Sequence, residues 1–164
     1  MLHLSPRGLS PRSIICHNPA MIKSSILFIC IGNAARSQMA EGWLRHLAGN
    51  EFTASSAGTH PVGVHPFTLH VMLETGVDLA GATSKSVSSM PGPFDFIVTT
   101  CAEAEADCPN LRGTRGTAHW HIPDPVARAH GVSERAGLDT FRRARDLIRK
   151  RVVDLLEDIR GGTL

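Results

Sequence analysis

The run Ile26-Leu27-Phe28-Ile29-Cys30-Ile31-Gly32-Asn33-Ala34-Ala35-Arg36-Ser37-Gln38-Met39-Ala40-Glu41-Gly42 decides the fold. Ile26 to Ile29 form an uninterrupted apolar stretch, as expected of a strand covered on both faces in a parallel sheet, and Ser37 to Leu47 carries helical spacing. The segment between them therefore reads as a loop at the carboxyl end of a strand and the amino end of a helix. There the loop amides and the unsatisfied N–H groups of the first helical turn converge on a concavity suited to a tetrahedral oxyanion. Ile31, Gly32, Asn33, Ala34, Ala35, Arg36 and Ser37 are the expected anion-binding residues. Cys30 enters this loop as the candidate nucleophile, because a helix amino end and nearby positive charge favour the thiolate of a cysteine. Arg36 can hold two oxygens of the anion in its planar fork. Ser37 is placed to donate a hydrogen bond to the sulfur, and Gly32 and Asn33 tolerate the positive φ that a tight cradle demands. Taken alone, Cys30 would read equally well as a small buried hydrophobe.

Outward from this loop, Phe52 to Gly58 alternates as a second strand, and Pro66 to Thr75 reads as a helix stopped by Gly76. After the hard turn Pro91-Gly92-Pro93, the run Phe94 to Thr100 reads as a strand ending at Cys101. In a doubly wound sheet the carboxyl ends of parallel strands share one rim, so Cys30 and Cys101 are expected to face one crevice. Ala102 to Asp107 favours a helix, which would put Cys101 and Cys108 on one face but about 10 Å apart along the axis. A disulfide needs Cα atoms within roughly 4.4–6.8 Å, so joining the two thiols would require the segment to unwind. Without Cys30 the pair would read as ordinary buried cysteines. Thr117 to Pro125 gives a last strand running into a rigid loop, in which two prolines fix the backbone around Asp124. His119 and His121 have no further ligand cluster at metal-binding spacing and read as structural or surface residues, so no metal site is expected. Phe141, Ala144, Leu147, Ile148, Val152, Leu155, Leu156 and Ile159 mark a long amphipathic closing helix, whose basic run Arg142 to Arg151 reads as a solvated face. This alternation of strands and helices predicts an α/β fold.

The spacing of Cys30, five residues, Arg36-Ser37, followed by Gln-Met-Ala-Glu-Gly-Trp, resembles the active-site loop of the low-molecular-weight tyrosine phosphatase superfamily. It resembles more closely the thioredoxin-coupled arsenate reductases, from about Ser25 to Leu156. The stretch Cys-Ala-Glu-Ala-Glu-Ala-Asp-Cys-Pro is similar to the redox segment of those reductases. The chain departs from many relatives at Ala34 and Ala35, where Ser and Cys are common, and at Ile31, where Thr is frequent. The resemblance implies a single-domain, four-stranded parallel sheet flanked by helices, with Asp124 as general acid. It also implies reduction of arsenate to arsenite through a Cys30 thiol-arsenate adduct and a Cys30, Cys101, Cys108 disulfide relay. No bound cofactor is implied; the reductant would be an external dithiol protein, thioredoxin, with glutaredoxin and glutathione as the alternative. Phosphate and sulfate would compete with arsenate. Glu41 and Ser56 match positions that, with the loop asparagine Asn33, hold potassium in some members. Lys85 matches that site's remaining acid, so its ammonium is expected to replace the ion and support the loop.

Composition agrees with one catalytic domain over residues 23–164. The chain has 164 residues, 42% of them hydrophobic, and a net charge of +2. Arg7, Arg12 and Lys23 lie at the start, and the remainder is close to neutral, which gives no nucleic-acid footprint. No apolar run approaches the roughly 18–20 residues that span a bilayer, so a membrane partner is not expected. Four cysteines without a persuasive secretory signal favour redox or catalytic chemistry in a reducing cytoplasm over a disulfide framework. Residues 1–22, with Pro6, Pro11, Pro19 and an incidental Cys16, read as a disordered extension or a misassigned start, Met21 being a plausible first residue. Two rival functions compete with the reductase reading. A phosphomonoesterase would need Cys30, Arg36 and Asp124 but neither Cys101 nor Cys108; the absence of tyrosine and the Pro-Val after Asp124 count against it. A non-enzymatic oxyanion-binding or redox-sensing module would bind or oxidise without turnover.

Overall fold

β1 (Ser24–Cys30) lies between two parallel neighbours, which is why its apolar run is unbroken: Ile26, Leu27, Phe28 and Ile29 are at most 1% exposed. The structure is a computed structural model and describes residues 22–164; Cys16 and the expected extension, apart from Ile22, lie outside the described residues. Four strands form one parallel sheet in the order β2-β1-β3-β4, with β2 at Phe52–Gly58, β3 at Phe96–Thr99 and β4 at Gly116–His119. The helices are α1 (Arg36–Ala48), α2 (Pro66–Leu73), α3 (Ala102–Asp107), α4 (Pro125–Ala129) and α5 (Glu134–Gly161), with a short 3-10 turn at Val87–Ser89. Among the described residues no helix is long and apolar enough to cross a membrane.

Strand side chains alternate between the faces of the sheet, and the core divides accordingly. Ile26, Phe28, Phe96 and Val98 meet Met39 and Leu44 of α1, Val71 and Met72 of α2 and Phe141, Ile148 and Val152 of α5. Leu27, Ile29 and Ile97 meet Ala57, Ala104 and the two cysteines Cys30 and Cys101 on the opposite face. Registers Cys30 with Gly58, Ile29 with Thr99 and Thr99 with His119 bring the strand ends to one rim. Gly58 is required there: a Cβ would lie 2.5 Å from the Ile31 carbonyl oxygen and 2.8 Å from the Asn33 nitrogen, so only glycine lets the anion loop sit against β2.

Several boundaries differ from the sequence reading for local reasons. β3 spans four residues because Asp95 turns its carboxylate onto Ser25, accepting from the backbone N–H at 2.8 Å and the hydroxyl at 3.1 Å. α2 ends at Leu73, and Thr75 and Gly76 form its closing turn, Gly76 at φ +79°. The stretch after Asp124, expected as loop, is the one-turn helix α4, started by Pro125 and by the Asp124 side chain accepting from Val126 N–H at 3.0 Å. α5 begins two turns before Phe141, where Ser133 caps it; its first two turns hold one large apolar residue, Leu138, too few to show a helical period. The Arg142 to Arg151 run is not a uniformly solvated face. Arg145 is 9% exposed and donates to the Val71 carbonyl and to Glu74, both at 2.9 Å, while Arg142 meets Glu74 at 2.6 Å. Hydrogen bonds and charge from Arg142, then Arg145, hold the Glu74 carboxyl down to about 2.

Candidate active site

Asn33 organises the loop that follows β1. It is fully buried at φ +47°, the only non-glycine with positive φ among the described residues, and its backbone N–H points at Cys30 Sγ at 3.2 Å. Its side-chain orientation follows from one unambiguous partner. The backbone N–H of Lys85 can only donate, and it meets Oδ1 at 2.8 Å; Gln38 Nε2 meets the same oxygen at 3.0 Å. Nδ2 is therefore the atom that donates to Ser37 Oγ at 2.8 Å and to Ser56 Oγ at 2.9 Å. The Ser37 hydroxyl lies 3.0 Å from Cys30 Sγ, to which it donates when Cys30 is thiolate, since a thiolate can only accept, and Ser56 donates to Glu41. Glu41 also pairs with Arg45 and lies 3.6 Å from Lys85 Nζ. The four expected loop-support residues Asn33, Glu41, Ser56 and Lys85 thus share one network. The Lys85 ammonium reaches Glu41 and the Thr83 carbonyl, whereas Asn33 is held by the Lys85 main chain.

α1 starts without a side-chain cap at Ala35, which leaves its first-turn amides free to donate to an anion. Arg36, 7% exposed, donates to the Ile122 carbonyl through Nη1 at 3.1 Å and sets Nη2 3.6 Å from Asp124 Oδ2. Cys30, the loop, Arg36 and Asp124 bound a cleft of about 240 Å³ whose outer wall is His60, Val62 and Val126.

Cys101 is 2% exposed and caps the amino end of α3, packed in the same apolar cluster as Cys30. Burial pushes its thiol up, and the positive charge of Arg36 works against that shift. Cys108 caps the carboxyl end of α3 and is partly exposed; burial, then the charge of Asp107, pushes it up as well. The six helical residues between them keep the two thiols at opposite ends of α3. Among the described residues no group of three or more His, Cys, Asp or Glu is placed to hold a metal ion.

Sequence reasoning missed Gln38, Arg45 and Ser84 as loop supports, and His60, Val62 and Val126 as cleft walls. The i,i+4 spacing of Glu41 and Arg45 was a readable signal. Ser84, which donates to the Asn33 carbonyl at 2.8 Å across 51 residues, had none.

The low molecular weight phosphotyrosine protein phosphatase family matches residues 25–162, which includes every element of this site. The chain belongs to that family. Within it, the chain is 38% identical over 138 residues to an arsenate reductase of Halalkalibacterium halodurans, covering 84% of this chain and 98% of the relative. A solved arsenate reductase of Archaeoglobus fulgidus superposes with a TM-score of 0.65 at 32% identity, covering 80% of this chain and 98% of that one. A solved arsenate reductase in its oxidized state gives a TM-score of 0.70 at 28% identity, covering 83% and 98%. The four-stranded parallel sheet described above is thus the phosphatase fold in the form that arsenate reductases use.

Proposed function

We propose that this phosphatase-family chain reduces arsenate to arsenite, with Cys30 as nucleophile and Cys101 and Cys108 as the electron-carrying thiols. The observation that carries this reading is the sharing of one buried cluster by Cys30 and Cys101 at the sheet rim, with Cys108 at the far end of a six-residue helix. Simple phosphoryl transfer asks for neither of the last two thiols.

Arsenate enters the loop, where the free amides of α1 and the Arg36 fork meet its oxygens. Asp124 Oδ2 lies 3.6 Å from Arg36 Nη2. An anion held in the Arg36 fork therefore has the Asp124 carboxyl beside it, on the cleft wall, near the oxygen that must depart. The Cys30 thiolate, held by the Ser37 hydroxyl and Asn33 N–H, attacks arsenic; the departing oxygen takes the Asp124 proton, leaving a Cys30 sulfur–arsenic(V) adduct. The Cys101 thiolate then attacks Cys30 sulfur. The sulfur–arsenic bond breaks with its electron pair staying on arsenic, so arsenic(III) leaves and a Cys30–Cys101 disulfide remains. The Cys108 thiolate attacks Cys101 sulfur next, freeing Cys30 as thiolate and forming a Cys101–Cys108 disulfide. An external dithiol protein of the thioredoxin type returns that disulfide to two thiols. Phosphate fits the same loop and stops at binding or ester exchange, because phosphorus is not reduced by a thiol.

The Lys85 ammonium beside Glu41 serves as a built-in cation for the loop network. Potassium is therefore not needed to neutralise Glu41.

Steady-state arsenite formation with thioredoxin as reductant tests the reading. Wild type turns over many times. The Cys108→Ser protein releases about one arsenite per chain and stops as a Cys30–Cys101 disulfide. Continued thioredoxin-driven turnover of Cys108→Ser would sink the relay.

A further inference from the structure

Three histidines from two parts of the chain converge on the acidic side of α3, and none has a role in the reaction sequence above. His119, at the end of β4, and His121, two residues later, approach Glu105 Oε2 at 3.6 and 3.2 Å. His60, in the segment after β2, approaches Asp107 Oδ2 at 3.8 Å. His119 is itself anchored, since its Nδ1 lies 2.8 Å from Thr99 Oγ1 on β3. The carboxylates sit on the helix that separates Cys101 from Cys108. Six residues cannot hold themselves helical in water, so α3 depends on tertiary contacts. Of its own residues only Ala104 is buried, and Glu105 and Asp107 carry the contacts to the three histidines.

We propose that His60, His119 and His121 are positioning residues that brace α3 in its reduced, helical form, so that the transfer of the disulfide to Cys101 and Cys108 becomes dependent on pH. This inference rests on the relay proposed above. For Cys108 to reach Cys101, α3 must unwind, and unwinding carries Glu105 and Asp107 away from the imidazoles. Imidazole changes charge near neutrality. A protonated ring attracts its carboxylate as an ion pair, whereas in the neutral form only the His121–Glu105 contact, at 3.2 Å, remains a hydrogen bond, so the brace is strong in mild acid and loosens as pH rises. The other charged groups facing this region are Arg112, which lines the same hollow as Glu105 and His119, Glu103 on α3, and Arg36 near Cys101. Carboxylates and guanidinium groups ordinarily keep their charge through the neutral range, whereas an imidazole is the side chain whose charge can change there.

Hydrogen–deuterium exchange of the fully reduced, full-length protein between pH 5.5 and 8, corrected for intrinsic exchange, tests the brace without any arsenate chemistry. In wild type, protection of the α3 amides falls as pH rises through neutrality. The Glu105→Gln and His119→Gln/His121→Gln proteins exchange about threefold or more faster in α3 at pH 6, the scale set by surface ion pairs, with a flattened pH profile. The Glu105 side chain is 41% exposed, so that substitution leaves the core intact, and unchanged protection of β1 verifies folding. Exchange in α3 that matches wild type at every pH overturns the proposal. A quenched time course with one equivalent of arsenate adds the functional readout: the Cys101–Cys108 bond forms faster in Glu105→Gln than in wild type at pH 6. Equal rates in the two proteins overturn the brace. Failure of the bond to form in every protein, wild type included, removes the relay instead, and the exchange result then decides the brace alone.

Discussion

Replacing Asn33 with alanine removes the hub of the anion loop, and its cost follows from the hydrogen bonds that the amide makes there. The partly buried Lys85 N–H is left without its acceptor, at about 1–3 kcal/mol if water does not replace it. Ser37 and Ser56 each give up an incoming hydrogen bond, worth roughly 0.5–1.5 kcal/mol apiece. Gln38 keeps the Asn33 and Thr83 carbonyls and adds little. Holding alanine at φ +47° costs a further ~1 kcal/mol. The total is roughly 3–7 kcal/mol, a large share of the ~5–15 kcal/mol that stabilises a typical domain. Urea unfolding of the reduced protein measures it directly. Asn33→Gly serves as the internal control: it lacks the same hydrogen bonds but carries no backbone strain, and should be more stable than Asn33→Ala by a few tenths to ~1 kcal/mol. A destabilisation below about 1 kcal/mol in Asn33→Ala, or a glycine variant weaker than the alanine one, would refute the hub assignment.

Two further outcomes follow from the charged groups. The Glu74 carboxyl, held at about 2 by Arg142 and Arg145, contributes stability that is fully present above its ordinary value near 4.5 and is lost as pH falls toward 2; the urea midpoint should decline over that interval, and Glu74→Gln should flatten the decline. An unchanged acid slope in Glu74→Gln would assign the acid sensitivity elsewhere. With the Lys85 ammonium beside Glu41, potassium in place of sodium at equal ionic strength should leave both melting temperature and arsenite production unchanged. A clear potassium-specific rise in either would show that the ammonium does not complete the loop network.

The parts of the fold that were legible are those in which local pattern and tertiary role coincide. The unbroken apolar run of β1 signals burial on both faces, and the helical residues Ala102 to Asp107 between two cysteines mark α3 at its observed ends. α4 was illegible because five residues carry no period, and its cap, Asp124, reads equally well as a turn residue. The first turns of α5 were illegible because Glu134 to Thr140 bury a glycine and, in part, a single large apolar residue, Leu138, which set no period. Arg145 looked solvated because its partner Glu74 lies 71 residues away, and a contact of that range leaves no mark on local spacing. The same limit divides the site. Cys30, Arg36 and Ser37 belong to one strand-loop-helix segment and could be read together, whereas Ser84 on the loop, His60 on the cleft wall and the histidines against α3 are joined to the site only by the folded chain.

The central claim is that three thiols pass two electrons to arsenic within a single chain. Fully reduced protein mixed with one equivalent of arsenate and no external reductant, with disulfides mapped by mass spectrometry and arsenite quantified in the same sample, tests it most directly. The account predicts a Cys101–Cys108 disulfide, free Cys30 and about one arsenite per chain. Three free thiols and no arsenite would contradict it.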